Sequence, residues 1–194
     1  MGFFSKVWNT LAKLLNFFGK LADAKKRKIQ SDTQRIVYIA QKENLDLENL
    51  PQYKQIAEEK ERVNKLEELS KNIPSGYDPN YYFDLLTSVL STMNRTEEGA
   101  DYGALYTFKY VARTPEWYDL HPVIMLMKID GVHFEGINFH WRDAPSYVES
   151  PYRKYRFDRM QTKFYKIKPD ELSYVLKIPT FYPIRIYKDR KSVV

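Results

Sequence analysis

Three histidines and no cysteine limit the chemistry this chain can carry. Without cysteine there is no disulfide, no thiolate nucleophile and no sulfur-ligated metal, a pattern that fits a reducing compartment. His133 and His140 stand seven residues apart near opposite ends of one β-prone run. On a regular strand an odd separation points two side chains to opposite faces, which speaks against a shared metal. His140 is instead expected to hydrogen-bond inside the fold, with Asn138 on its side of the strand. Asp119 and His121 have the spacing of a base and its orienter, yet Asp119 stands just before Pro122, where turn and capping roles fit better. No nucleotide-binding glycine loop, zincin motif, EF-hand loop or GxSxG elbow occurs. No catalytic residue, cofactor or metal site is expected.

The chemistry that remains is charge and aromatic surface. The net charge is +6, with 16 Tyr and 11 Phe. One basic cluster lies in the first thirty residues: Lys6, Lys13, Lys20, Lys25, Lys26, Arg27 and Lys28 against Asp23. A second carries Arg142, Arg153, Lys154, Arg156, Arg159, Lys163, Lys166 and Lys168, interleaved with Tyr152, Tyr155, Phe157, Phe164 and Tyr165. Such a stretch suits nucleic acid, because cations neutralise phosphates and exposed rings stack on unpaired bases. The opposing reading keeps Tyr155, Phe157 and Tyr165 in the core, with arginine stems covering them.

Those residues must be positioned by a β-rich second half. Asp130-Gly131 between two β-prone runs signals a hairpin, with a type I′ turn requiring positive φ at both central residues. The apolar run Pro122 to Met127 reads as a strand covered on both faces. The following strand, Val132 to Phe139, has Gly136 where a bulge or close packing is expected. Leu105 to Val111 alternates, with Tyr106, Phe108 and Tyr110 on one face and Leu105, Thr107 and Lys109 on the other. Tyr152 to Tyr165 reads as helical, Pro169 to Leu176 as a short helix, and Phe181 to Tyr187 as an edge strand.

The first half reads as helix. Phe4, Val7, Trp8, Leu11, Leu14, Leu15, Phe18 and Leu21 form one apolar face interrupted by lysines, which excludes both a signal peptide and a membrane span. At roughly 1.5–3 kcal/mol for each buried side chain, this ridge must be covered. Docking on a partner or another subunit is the preferred expectation, ahead of packing on its own domain or lying on a membrane surface. A second helix is expected to open at the capping box Ser31-x-x-Gln34. A third starts at Pro51 and carries Ile56, Val63, Leu66, Leu69 and Ile73, an arrangement suited to an antiparallel helical hairpin. Pro74 to Pro79 is a boundary, after which Asp78 caps a short helix with Pro79 in its first turn.

Three motif segments follow in order: Tyr106-x-Phe108-x-Tyr110-x-Ala-Arg113, Tyr118-Asp119-x-x-Pro122-Val-Ile124, and Gly136-Ile-Asn138-Phe-His140-Trp141. In order and approximate spacing, this series resembles the DNA end-protector, or head-completion, proteins of T-even-like tailed bacteriophages. Those proteins carry an F-x-Y segment, a YYD-x-x-P-L segment and a G-x-N-x-H-Y-L segment. Here Trp117 replaces the first Tyr of the pair, and His140-Trp141-Arg142 replaces His-Tyr-Leu. The resemblance covers roughly residues 104–187 and leaves the helical half without a counterpart. It implies a non-enzymatic virion protein, made in the host cytoplasm, acting at the portal or neck where packaged DNA ends. Asp119, Pro122, Gly136, Asn138 and His140 match its pattern and are expected to hold the fold.

The expected architecture is therefore α+β, an N-terminal helical arm followed by a small antiparallel β domain, barrel-like or a meander, with short C-terminal helices. Residues 1–73 form the arm, 74–103 a linker with a short helix, and 104–194 the β-rich region. The expected function is a structural protein of the phage portal, neck or tail in a symmetric assembly, with contact to the packaged DNA end. A purely structural tail or baseplate subunit and a membrane-interacting protein are the alternatives.

Overall fold

The structure, a computed structural model, describes residues 3–71, 78–93, 100–112, 120–141 and 151–178, with the backbone alone for 3–9, 91–93 and 141. Helix α1 runs from Phe3 to Glu43, about 60 Å at 1.5 Å per residue. It is continuous through Ser31, so the capping box there does not open a new helix. Ser31 and Gln34 are exposed, while Ile29 and Ala40 are buried. The helix ends where Asn44 takes the left-handed conformation (φ 51°) and the Leu45 N–H donates to the Ala40 carbonyl, an asparagine version of the glycine stop.

Helix α2 (Pro51–Lys71) returns against α1 as the hairpin its sequence suggests, with proline at its first position. Ion pairs join Lys25 to Glu59 and Lys26 to Glu67 across that hairpin. Helix α3 (Pro79–Val89) starts as expected, with the Asp78 carboxylate accepting the Asn80 N–H at 2.9 Å.

Six strands form one antiparallel sheet: β1 (Ser91–Met93), β2 (Leu105–Thr107), β3 (Val123–Asp130), β4 (His133–Asn138), β5 (Tyr152–Arg156) and β6 (Phe164–Ile167). Their order is β1-β6-β2-β3-β4-β5, so the sheet is open and not closed into a barrel. The short helix α4 (Leu172–Val175) follows. The α+β architecture read from the sequence is the one observed.

Four local expectations are refined. Asp130 pairs with His133, so the hairpin loop is Gly131-Val132, one residue later than expected. Positive φ falls on Gly131 (56°) but not Val132, as a type II′ turn requires. Gly136 is a close-approach site: a Cβ there would lie 2.6 Å from the Met125 carbonyl oxygen. The bulge lies across from it on β3, where the register shifts between Leu126 and Lys128. Tyr152 to Tyr165 is not helical; it forms β5, a three-ten turn at Phe157–Arg159, and β6. Tyr152 and Tyr155 have helical spacing, but pairing with β4 decides the conformation.

Two cores close the two sides of the sheet. The helix side joins Leu11, Phe18, Ala22 and Ile29 of α1 to Val63, Leu66, Leu86, Leu105, Val123, Phe139, Leu172 and Val175. It draws on all three sequence ranges, 1–73, 74–103 and 104–194, as stretches of one packed unit. Leu11 and Phe18 are only 2% and 6% exposed, Leu14, Leu15 and Leu21 pack against them, and the Phe18 ring meets Phe139 edge-on at 6.3 Å. The chain's own sheet and helices therefore cover Leu11 and Phe18 fully and Leu14, Leu15 and Leu21 in part, which removes much of the cost of leaving this stretch of the ridge in water and the need for a partner to cover Leu11 and Phe18. Phe4, Val7 and Trp8 fall where side chains are not described. The other core is aromatic and contains Tyr106, Phe108, Tyr110, Phe134, Tyr155 and Phe164, with Phe157 against it.

Candidate nucleic-acid interface

The basic aromatic segment divides under strand alternation. On β5, Tyr155 points into the aromatic core while Tyr152, Lys154 and Arg156 are exposed on the other face. Arg153 shares the Tyr155 side by the same alternation. On β6, Lys166 lies opposite Tyr106, on the aromatic face, whereas Ile167 joins the helix-side core. Lys168 follows β6 and reaches Glu59 of α2 at 3.6 Å. A helix would have grouped these cations; the observed strands distribute them over both faces. Arg142 lies outside the described residues.

Most of the distributed cations meet a carboxylate of the same chain. Arg156 donates two hydrogen bonds to Asp158, at 2.9 and 2.6 Å. That contact raises the arginine pKa and lowers that of the aspartate. Lys154 lies 3.8 Å from Glu135, and Lys166 is hydrogen-bonded to Asp101. The Tyr152 hydroxyl donates to Glu135 at 2.6 Å, which pushes the phenol up to about 12. Nearby, Lys128 pairs with Asp130. The solvent-facing end of β3, β4 and β5 is thus a mosaic of matched charges. Arg159 and Lys163 differ, making no ion pair among the described residues.

The rings are also committed. Phe108 lies 5.3–5.4 Å from Phe134, Tyr155 and Phe164 in edge-to-face contacts, and Phe134 stacks on Tyr155 at 5.2 Å. Tyr155 and Phe164 are buried, and Phe157 and Tyr165 are half-buried. Base stacking on those rings is unavailable.

The motif residues hold this arrangement together. The Asn138 side chain accepts the His140 N–H at 2.8 Å and donates to the Tyr155 hydroxyl at 3.1 Å. It thereby joins the three-ten turn Phe139–Trp141 to β5. Asn138 is 1% exposed, a position suited to structure and not to DNA contact. Pro122 is buried beside His121, whose ring stacks on Phe83 at 4.5 Å. Asp119 lies outside the described residues, as does the strand expected at Phe181 to Tyr187. Among the described residues no group of three or more His, Asp or Glu could hold a metal ion.

Two features were not anticipated. Glu171 is 3% exposed and is bound through both carboxylate oxygens by Arg62, at 2.5 and 3.1 Å, while accepting the Lys168 N–H at 3.0 Å. This clasp fastens α2 to the end of the sheet. An open groove of about 910 Å3 between α2 and α3 is lined by Glu58, Lys65, Leu69, Tyr81 and Leu85 among others. Neither has a local sequence signal, because each brings together residues distant in the chain or on separate helices.

Comparisons with protein-family models, with curated proteins and with solved structures find no match for this chain.

Proposed function

We propose that the chain is a non-enzymatic structural protein of a tailed-bacteriophage virion, seated at the portal, neck or tail and contacting the packaged DNA end. One observation carries the reading: motif segments distant in sequence meet in a single framework. Tyr106, Phe108, Tyr110 and Ile124 share the aromatic core. Gly136 presses on Met125, and Asn138 pairs with Ile124. A motif that specifies packing supports a shared fold with the proteins it resembles, and the role is proposed by analogy with them.

A second reading is a purely structural tail or baseplate subunit. The pairings Lys154–Glu135, Arg156–Asp158, Lys166–Asp101 and Lys168–Glu59 favour it, since these cations are already neutralised within the chain. The membrane alternative loses its main support, because Leu11 and Phe18 are inside the protein; no helix among the described residues is long and apolar enough to cross a membrane.

End protection separates the first two readings. The purified chain is expected to slow exonuclease digestion of a linear duplex from its ends, with protection weakening as salt rises. Absence of protection together with incorporation into particles would favour the purely structural subunit.

A further inference from the structure

Strand alternation continues past β2. Tyr106, Phe108, Tyr110 and Ala112 all enter the aromatic core, so Lys109 and Val111 project from the opposite side. On that side Thr107 is fully buried, but the cover ends within two turns of the alternation: Lys109 is half-buried and Val111 is 40% exposed. The connection from β5 to β6 runs antiparallel along this stretch. Gln161 donates to the Lys109 carbonyl at 2.9 Å, Val111 donates to the Arg159 carbonyl at 3.0 Å, and Tyr110 bridges Met160. The Lys109 N–H is held by the Thr162 hydroxyl at 2.9 Å. Tyr110 and Met160 both face inward, which leaves Arg159 and Gln161 beside Val111 and Lys109 on the outer wall.

Lys163 completes the group. Exposed in its turn, it directly follows Thr162, whose hydroxyl holds the Lys109 N–H. None of Lys109, Arg159 and Lys163 makes an ion pair among the described residues. Asp158, next to Arg159 in the chain, is bonded through both oxygens to Arg156, and the Arg159 charge also favours its anion. Among the described residues the wall therefore carries three cations with no bonded carboxylate, unlike the matched mosaic on β5.

We infer that this outer wall, Lys109, Arg159 and Lys163, meets the phosphate backbone of duplex DNA; the inference rests on the DNA-end reading above. The partner is duplex because, among the described residues, the wall supplies cations and no exposed ring. A single strand would call for aromatic stacking surfaces, and Tyr110, Tyr155, Phe157 and Phe164 are turned into or against the core. Phosphate contacts position a protein without reading sequence, as binding to a DNA terminus of any sequence requires.

Fluorescence anisotropy with a short blunt-ended duplex tests this. Three phosphate contacts predict a slope of about −2.7 in log affinity against log salt, or roughly a 40-fold loss between about 50 and 200 mM. Lys109→Gln, Arg159→Gln and Lys163→Gln combined should remove most of that dependence, while Lys163→Gln alone lowers the slope by about 0.9. Lys154→Gln with Arg156→Gln should change it little. Circular dichroism melts confirm that each variant is folded. If the β5 pair flattens the slope and folded wall variants do not, the location is wrong and the DNA reading survives. If the unaltered chain binds no duplex even at low salt, the DNA reading fails and this inference with it. Wall-dependent binding to phosphatidylserine vesicles but not to duplex would also overturn it.

Discussion

On one side of the sheet, mostly aliphatic side chains pack together with α1, α2, α3 and α4; on the other, the strands and their connections cover themselves with their own aromatic rings. The helix side depends on contacts between distant residues, such as Arg62 with Glu171 and Phe18 with Phe139. Among the described residues, the aromatic side draws only on residues 100–164. The difference in construction predicts a difference in vulnerability. Damage to α1 or its clasp should undo the docking of the helical half, whereas damage at the β3–β4 contact should act on the rings.

The largest effect is expected from deleting residues 1–30, which removes Leu11, Phe18, Ala22 and Ile29 from the helix-side core. The remaining chain would expose Leu66, Val123, Phe139 and Val175, and it should lose cooperative thermal unfolding and aggregate. A soluble, cooperatively melting truncation would overturn the internal role of α1 and restore a detachable docking arm.

Next comes Arg62→Ala, which strands the buried Glu171 carboxylate. Removing one partner of a buried ion pair costs about 3–5 kcal/mol. Urea denaturation should show that loss, and Arg62→Met combined with Glu171→Leu should recover most of it. Failure of the single variant to destabilise would mean that the clasp does not locate the helices.

Gly136→Ala acts on the other side. The added methyl meets a backbone oxygen at 2.6 Å, and the strain is expected to cost about 1–3 kcal/mol. Because Gly136 shares a face with Phe134, near-ultraviolet circular dichroism of the ring cluster should change more here than in Arg62→Ala. Equal changes in both variants would mean that the two cores respond as one.

The smallest effect is electrostatic. Hydrogen bonds from Lys26 and Lys71 hold the Glu67 carboxyl down at about 2. A depressed folded-state value means that its stabilisation is complete above the ordinary value of 4.5 and disappears as pH falls toward about 2. Solvent screening keeps the contribution below about 1 kcal/mol. Glu67→Gln should therefore lower stability at neutral pH by no more than that amount and flatten the profile between about 4.5 and about 2, the two chains converging at the acid end of a series of urea melts.

Legibility follows the range of the interactions. Asp78-Pro79 announced the start of α3, and Pro51 that of α2, because caps and prolines act within one turn. The alternation of Tyr106, Phe108 and Tyr110 identified the face that forms the aromatic core. The strands in segment 152–165 are not legible locally, because Tyr152 and Tyr155 suit a helix as well as an edge strand and only the β4 partner distinguishes them. Lys109, on the polar side of an aromatic strand, could be assigned to a face from its neighbours but not to a cluster. Its companions Arg159 and Lys163 lie some fifty residues away.

The amino-acid order by itself determined which stretches are helix or strand in most places, where several of them begin, and that the apolar ridge of α1 had to be covered. Those properties arise from backbone sterics, caps and side-chain periodicity over a few residues. Only the tertiary structure decided what covers the ridge and which cations lack a carboxylate. Both depend on bringing together residues far apart in the chain, and the burial and charge of a side chain are settled by neighbours that local sequence does not specify.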